Sequence, residues 1–440
     1  MSKLQTKSTL DYLHEYNLKN TPEEVVSRAK LCILDLIGIA AGGSKTKMSK
    51  IICNHAVQQF GGSSSILFSS KTASPVGSAL AGGITIDALD GHDGFNPAKG
   101  HIGCALLPGI MPLISENSSG TAFLEAMILG YEFGSRLGGI LHETVSDYHT
   151  SGAWMSVAVA GIGSRLLNLS QIQSEHALGI AEYHGPRSQM MREIDYPTMV
   201  KDGSGWGSMA GVSAALLAKD GFTGAPATTL TDKPDTNWWG DLGNRWRIME
   251  QYFKPYPVCR WAHAPIEAAL KLRKRHAIKS RDIKEIEIKT FHEAVRLATN
   301  KPKTTEEAQY STSFPLAIAL AKGYISPFDL DDGQLNNKEI MRLSQLTKMS
   351  EDHNANIAFP EKRIAQVKIV LQSGQVYLSD WETPKWDHEN PPSEDEITEK
   401  YKSICYPILG EERSEKILEC INNLHNEPIS NLKKLIMSEI

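Results

Sequence analysis

Apolar positions recur at helical spacing over most of the first 250 residues. Between Val25 and Ala41, the residues Val25, Ala29, Leu31, Cys32, Leu34, Ile37 and Gly38 fall three and four apart, the period of a helix with a buried stripe. Thr21 stands where an N-cap belongs, ahead of Pro22, Glu23 and Glu24, and Gly42-Gly43 ends the run. The same reading predicts helices near 76–89, 103–115, 120–138, 151–167, 173–183 and 203–219. Small residues recur on their faces, among them Gly83, Gly152, Gly163, Gly207 and Gly211, so a tightly packed helical body is expected.

The pattern changes near residue 250. Ile286 and Ile288 alternate with Glu285, Glu287 and Lys289, a period of two that predicts a strand. A second strand is expected at 364–370, a turn at Gln372-Ser-Gly-Gln375, and a return through Val376, Tyr377 and Leu378. Helical stretches near 306–322 and 336–347 complete a small α+β unit. The polar stretch 387–396 reads as the chain leaving that unit, and helices returning to the first body are expected up to Ile440.

Composition narrows the class. The chain has 440 residues, of which 41% are hydrophobic and 35 are glycine, which excludes disorder as an overall description. Lys plus Arg is 46 against 51 for Asp plus Glu, a net charge of −5 that argues against a nucleic-acid surface. No apolar run is long enough for a transmembrane helix, and the first residues lack a signal-peptide core. The six cysteines are scattered without a CxxC pair, and the cytoplasm is the simplest compartment.

Four clusters could carry chemistry. In Asp87-Ala-Leu-Asp90-Gly-His92-Asp93-Gly-Phe-Asn-Pro97-Ala-Lys99-Gly-His101, three carboxylates, two histidines and a lysine share one loop between apolar helices. A solvated loop is the bland alternative. Asp90, His92 and His101 could ligate a metal, but their spacing matches no metal signature, and none is expected. His149 precedes a helix whose dipole favours a neutral imidazole, a candidate general base or merely a cap. Around Arg187, Lys201 and the glycines at 203, 205 and 207, an ammonium and backbone amides could converge on a carboxylate. The glycines also serve close helix packing. Finally, Phe253-Lys254-Pro255-Tyr256-Pro257-Val258-Cys259-Arg260-Trp261-Ala262-His263 reads as a cleft wall, with Cys259 either a reactive thiol or, more often, a buried one.

Taken in order, these clusters resemble the MmgE/PrpD family, as do Leu34-Asp-Leu-Ile-Gly38, Tyr131-Glu-Phe-Gly-Ser-Arg136, Met199-Val-Lys201 and Ala308-Gln-Tyr-Ser-Thr-Ser-Phe314. The resemblance spans essentially the whole chain. That family includes 2-methylcitrate dehydratase, cis-aconitate decarboxylase and iminodisuccinate epimerase. The resemblance implies a mainly α fold: an all-helical domain from 1–252 and 392–440, an inserted α+β lid at 253–391, and a homodimer. It also implies no metal or organic cofactor. The matched catalytic residues are Asp90, His101, His149 and Lys201; Lys99, Arg187, Lys254, Cys259, Arg260 and His263 are candidates for substrate binding. The loop before His101 is one residue longer than the family's, so Lys99 or His92 could share its role. Cys259 stands where the decarboxylases have a histidine, and Phe314 where they have an aromatic hydroxyl. The expected reaction is removal of a proton next to a carboxylate of a small di- or tricarboxylic acid, as in a hydro-lyase acting on a 2-methylcitrate-like substrate. An epimerase of an imino- or aminodicarboxylate is the alternative, with a decarboxylase behind it.

Overall fold

The computed structural model describes residues 2–231 and 237–440. Its helices are α1 Ser2–Glu15, α2 Glu23–Gly43, α3 Lys47–Gln59, α4 Pro75–Asp87, α5 Gly103–Ile110, α6 Gly120–Thr144, α7 Gly152–Leu166, α8 Gln171–His184, α9 Met190–Asp195 and α10 Ser204–Lys219. The second part of the chain adds α11 His263–His276, α12 Ser313–Lys322 and α13 Lys338–Gln345. The tail adds α14 Glu394–Leu409, α15 Glu411–Asn422 and α16 Ile429–Ile436. The molecule is thus mainly helical with small sheets.

Residue size explains the packing of the first body. A Cβ on Gly207 of α10 would lie 2.6 Å from the Cα of Gly152 in α7. A Cβ on Gly83 of α4 would lie equally close, 2.6 Å, to the Cα of Gly205. Glycine therefore lets three helices meet backbone to backbone beside the residues that precede α10. The tail joins this body: Tyr401 of α14 packs against Gly38 of α2, and the Lys400 ammonium lies 2.6 Å from Asp35 Oδ1. At the start of α2, Thr21 does not cap the helix. Its hydroxyl bonds the Tyr16 hydroxyl at 2.8 Å, and Pro22 occupies the cap position.

Residues 258–369 form a second apolar cluster around one four-stranded sheet. Its strands are β1 Ile283–Thr290, β2 Thr347–Glu351, β3 Gln366–Leu371 and β4 Val376–Leu378, in the order β2-β1-β3-β4. Ile286 and Ile288 of β1 are buried, as the alternation predicts. The β3–β4 hairpin turns at Gly374, whose φ of +88° favours glycine. Strand β2 was not expected. It pairs parallel to β1, a match that depends on distant residues and not on local pattern. The helical stretch expected at 306–322 divides into Thr305–Gln309 and α12. No helix among the described residues is long and apolar enough to cross a membrane.

Candidate active site

The loop 87–101 is a buried structure rather than a solvated one. Asp90 is held at φ +50° at the end of α4, and Lys254 places its ammonium 2.6 Å from Asp90 Oδ1 and 2.9 Å from the Asp90 carbonyl. Burial opposes the charge on Asp90, but Lys254 and then Lys201 overcome it and hold the carboxyl at about 2. Its second oxygen, Oδ2, has no hydrogen-bond partner. Lys99 and Lys201 also adopt positive φ, +52° and +48°. For such residues this costs about 1–3 kcal/mol each, and such strain gathers at functional sites.

The histidines are neutral. His101 and His92 both turn Nδ1 toward the Asp93 carbonyl, which leaves Nε2 of each without a proton in the neutral ring. Their rings meet edge to face at 4.3 Å. Burial, and then the charge of Lys254, lowers both to about 3. His149 sits two residues before the Ser151 cap of α7, bridged to Gln189. Its Nδ1 is buried with no partner. Burial first, then Arg187, lowers its pKa and so favours the neutral ring.

One amide at the start of α10 is already met within the protein. Ser204 N–H donates to Asp87 Oδ2 at 3.3 Å, so the chain supplies its own carboxylate there. Burial raises Asp87 to about 7, and its Oδ1 lies 3.1 Å from His92 Nε2. Lys201 is different. It is 3% exposed, its ammonium bonds Gln309 Oε1, and it lies 5.0 Å from the Tyr310 ring centroid. No carboxylate among the described residues lies within ion-pairing distance of it. Gln309 also donates to the Ala88 carbonyl at 3.0 Å, so a residue of the second part of the chain clasps both Lys201 and the end of α4. Lys201 lines a cavity of about 540 Å³ with Thr150, Gln189, Arg192, Glu193 and Trp206, a volume within the usual range of small-ligand sites.

The remaining candidates are distributed unevenly. Lys99 is half-buried over the Tyr148 ring at 5.1 Å. Arg187 is exposed beside His149. Cys259 is buried, and burial together with Asp90 pushes its thiol up to about 12, which excludes a reactive thiolate at neutral pH. Arg260 donates to the Phe253 and Lys385 carbonyls at 3.1 and 2.8 Å and to Asp387 at 3.1 Å. It thereby fastens the two crossings of the chain between the bodies. His263 begins α11 fully buried, with Nε2 3.2 Å from the Val258 carbonyl.

A larger cleft of about 1030 Å³ is lined by Ala88 and Met199, by Lys45, Lys47 and Lys50, and by Lys301, Lys303, Glu306, Asp331 and Asp332 from the second part. Among the described residues, Asp87, His92 and Cys104 offer three buried ligand atoms within 4.8 Å of one another. Each is already engaged by the protein, Cys104 through a 3.0 Å bond to Ser204 Oγ. Sequence reading missed Glu193, Gln309, Tyr310 and Asp202. Glu193 had a signal: Met190, Glu193 and Ile194 share one face of α9, and a carboxylate on an apolar stripe is unusual.

Three proteins set this arrangement in context. The cis-aconitate decarboxylase-like protein oryM of Aspergillus oryzae is 24% identical over 99% of this chain and 98% of its own length. The cis-aconitate decarboxylase of Homo sapiens is 22% identical over 97% of the chain and 93% of its length. A probable 2-methylcitrate dehydratase of Saccharomyces cerevisiae is 26% identical over 81% and 76%. The MmgE/PrpD N-terminal domain matches residues 7–237 and the MmgE/PrpD C-terminal domain residues 256–426. With both domains matched in order over most of its length, this chain belongs to the MmgE/PrpD family.

Proposed function

We propose that this protein is a lyase that removes a proton next to a carboxylate of a small di- or tricarboxylic acid and expels a hydroxyl, with a 2-methylcitrate-like acid as substrate. One observation carries the reading: Lys201 is buried, has no carboxylate of the described residues within ion-pairing distance, and lines a cavity of ligand size. A buried charge is stable only when paired, and a substrate carboxylate supplies the pair. Proton removal next to that carboxylate builds enolate charge, which a fixed cation stabilises. His149, neutral and with Nδ1 free, is the base. Asp90 and His101 complete the catalytic set, and Lys254 orders Asp90. The activities of the relatives support a lyase. Cys259 and Phe314, the latter wholly buried in the second apolar cluster, favour dehydration over decarboxylation.

The domain reading is part of this proposal. An all-helical body from 1–252 and 392–440 carries His149 and Lys201, and a lid at 253–391 closes over them. The clasp of Gln309 on Lys201 supports it. A homodimer is proposed as well. The exposed apolar residues Ile172, Tyr183, Tyr196, Val200, Trp206 and Phe222 crowd one part of the chain, and Trp206 and Tyr196 also border the cavity.

The test is proton NMR in D₂O with citrate-like and aspartate-derived acids. Deuterium entry next to a carboxylate with an alkene signal is expected. Deuterium entry without an alkene, with changing optical rotation, would replace this reading by the epimerase. No exchange with any acid would overturn both.

A further inference from the structure

Elimination of a hydroxyl needs a proton donor as well as a base. At neutral pH Asp90 is ionised, and His101 and His149 are neutral imidazoles. Lys254 is committed to Asp90. Asp93 keeps its oxygens on the Tyr131 hydroxyl and the Gly103 amide, and Asp87 lies between Ser204 and His92. One further carboxyl borders the cavity that Lys201 lines, and it belongs to Glu193.

Glu193 is 3% exposed, and neither of its oxygens has a hydrogen-bond partner. No lysine, arginine or histidine of the described residues lies within ion-pairing distance of it. The groups that face it electrically are Asp202, Tyr310, Lys201 and Asp90. Burial first, then Asp202, pushes its pKa well up, while Tyr310 and Lys201 pull the other way. Met190 and Ile194, on the same helical face, share a further apolar cluster with Cys259, Trp261 and Tyr310, which joins α9 to the second part of the chain. Asp195 of α9 is paired with Arg296 across the same boundary. The carboxyl is therefore buried at the cavity wall with no ion pair among the described residues, and the Tyr310 side chain stands beside it.

We propose that Glu193 is a catalytic residue of this site, the proton donor to the departing hydroxyl of a hydroxy acid whose carboxylate pairs with Lys201; this rests on the lyase reading above. His149 takes the proton from the carbon next to the carboxylate. The C–H electron pair becomes the new C=C bond. The C–O bond breaks toward oxygen, which takes the Glu193 proton and leaves as water. The imidazolium proton then returns to the Glu193 carboxylate through solvent, and both groups are restored.

Two measurements on the full-length chain test this. In the infrared difference between wild type and Glu193→Gln at neutral pH, a carboxylic-acid carbonyl band is expected, one that shifts when citrate is added to the wild type. A carboxylate band in its place, or a band indifferent to citrate, overturns the proposal even if no turnover is found. In D₂O, with an acid that the wild type dehydrates, Glu193→Gln is expected to lose alkene formation by about 10²–10⁴-fold, the usual weight of proton transfer. Deuterium exchange next to the carboxylate is expected to stay within a few-fold. Glu193→Asp, which retains the proton on a shorter arm, should fall between them. Unchanged alkene formation in Glu193→Gln, or equal loss of exchange and elimination, overturns the proposal. A wild type that exchanges no acid defeats the lyase reading instead, and the infrared result still decides on Glu193.

Discussion

At the scale of single residues, charge without a partner is the informative quantity. Lys254 has Asp90, Arg260 has Asp387, and Lys400 has Asp35, but Lys201 has only a neutral amide and a ring. Lys201→Ala is expected to lower kcat/KM by about 10²–10³-fold, the cost of one preorganised donor at developing charge. Removing a buried charge that has no ion-pair partner also removes its desolvation cost, so thermal stability is expected to move little. A large fall in melting temperature with modest kinetic change would make Lys201 structural. His149 supplies a pH signature. Its pKa is lowered, so the imidazole stays unprotonated to a lower pH than the usual 6.5. Activity should rise with pH through a midpoint below the usual 6.5, and lose that acidic limb in His149→Gln. An unchanged limb would remove His149 as base.

At the scale of elements, Arg260 joins the segments that carry the chain into and out of the second cluster. It holds the Phe253 and Lys385 carbonyls together, stacks on Tyr252 at 4.4 Å, and reaches Asp387. Asp387 in turn accepts from Asn96 of the active-site loop at 3.0 Å. This placement favours a positioning role over direct substrate contact. Arg260→Met is expected to cost about 2–3 kcal/mol, since several charge-assisted hydrogen bonds vanish. Urea melts would register that loss, and KM for the substrate should hardly change. A raised KM at unchanged stability would restore Arg260 to the substrate.

At the scale of the whole molecule, the larger cleft gathers Lys45, Lys47, Lys50, Lys301 and Lys303, although the chain as a whole carries a net charge of −5. Glu306, Asp331 and Asp332 share that lining, so its five lysines leave a net positive cleft; such a field draws anions, and salt screens it beyond about 8 Å at physiological ionic strength. We expect kcat/KM to fall with added salt, and Lys47→Gln with Lys303→Gln to flatten that dependence while leaving kcat unchanged. A salt response equal to wild type would exclude steering through this cleft. Sedimentation of the purified chain is expected to give twice the monomer mass. A monomer would end the homodimer reading.

Local pattern determined much of this protein. The helix periods at 25–41, 120–138 and 203–219 were legible because one buried stripe per helix repeats every three to four residues. Strand β1 was legible for the same reason at a period of two. The loop 87–101 and the lysines at 201 and 254 stood out because charged residues interrupt apolar surroundings. Strand β2 was not legible, because its parallel partner β1 lies some sixty residues away by register, Ile286 with Thr347. Nor were the roles of Gln309 and Tyr310, which meet Lys201 only across the two clusters. Above all, protonation belongs to tertiary structure. Asp90 at about 2 and Asp87 at about 7 are the same residue type three positions apart. Composition cannot separate them. Lys254 paired with one and desolvation of the other do, since a carboxyl's charge depends on what the fold places around it.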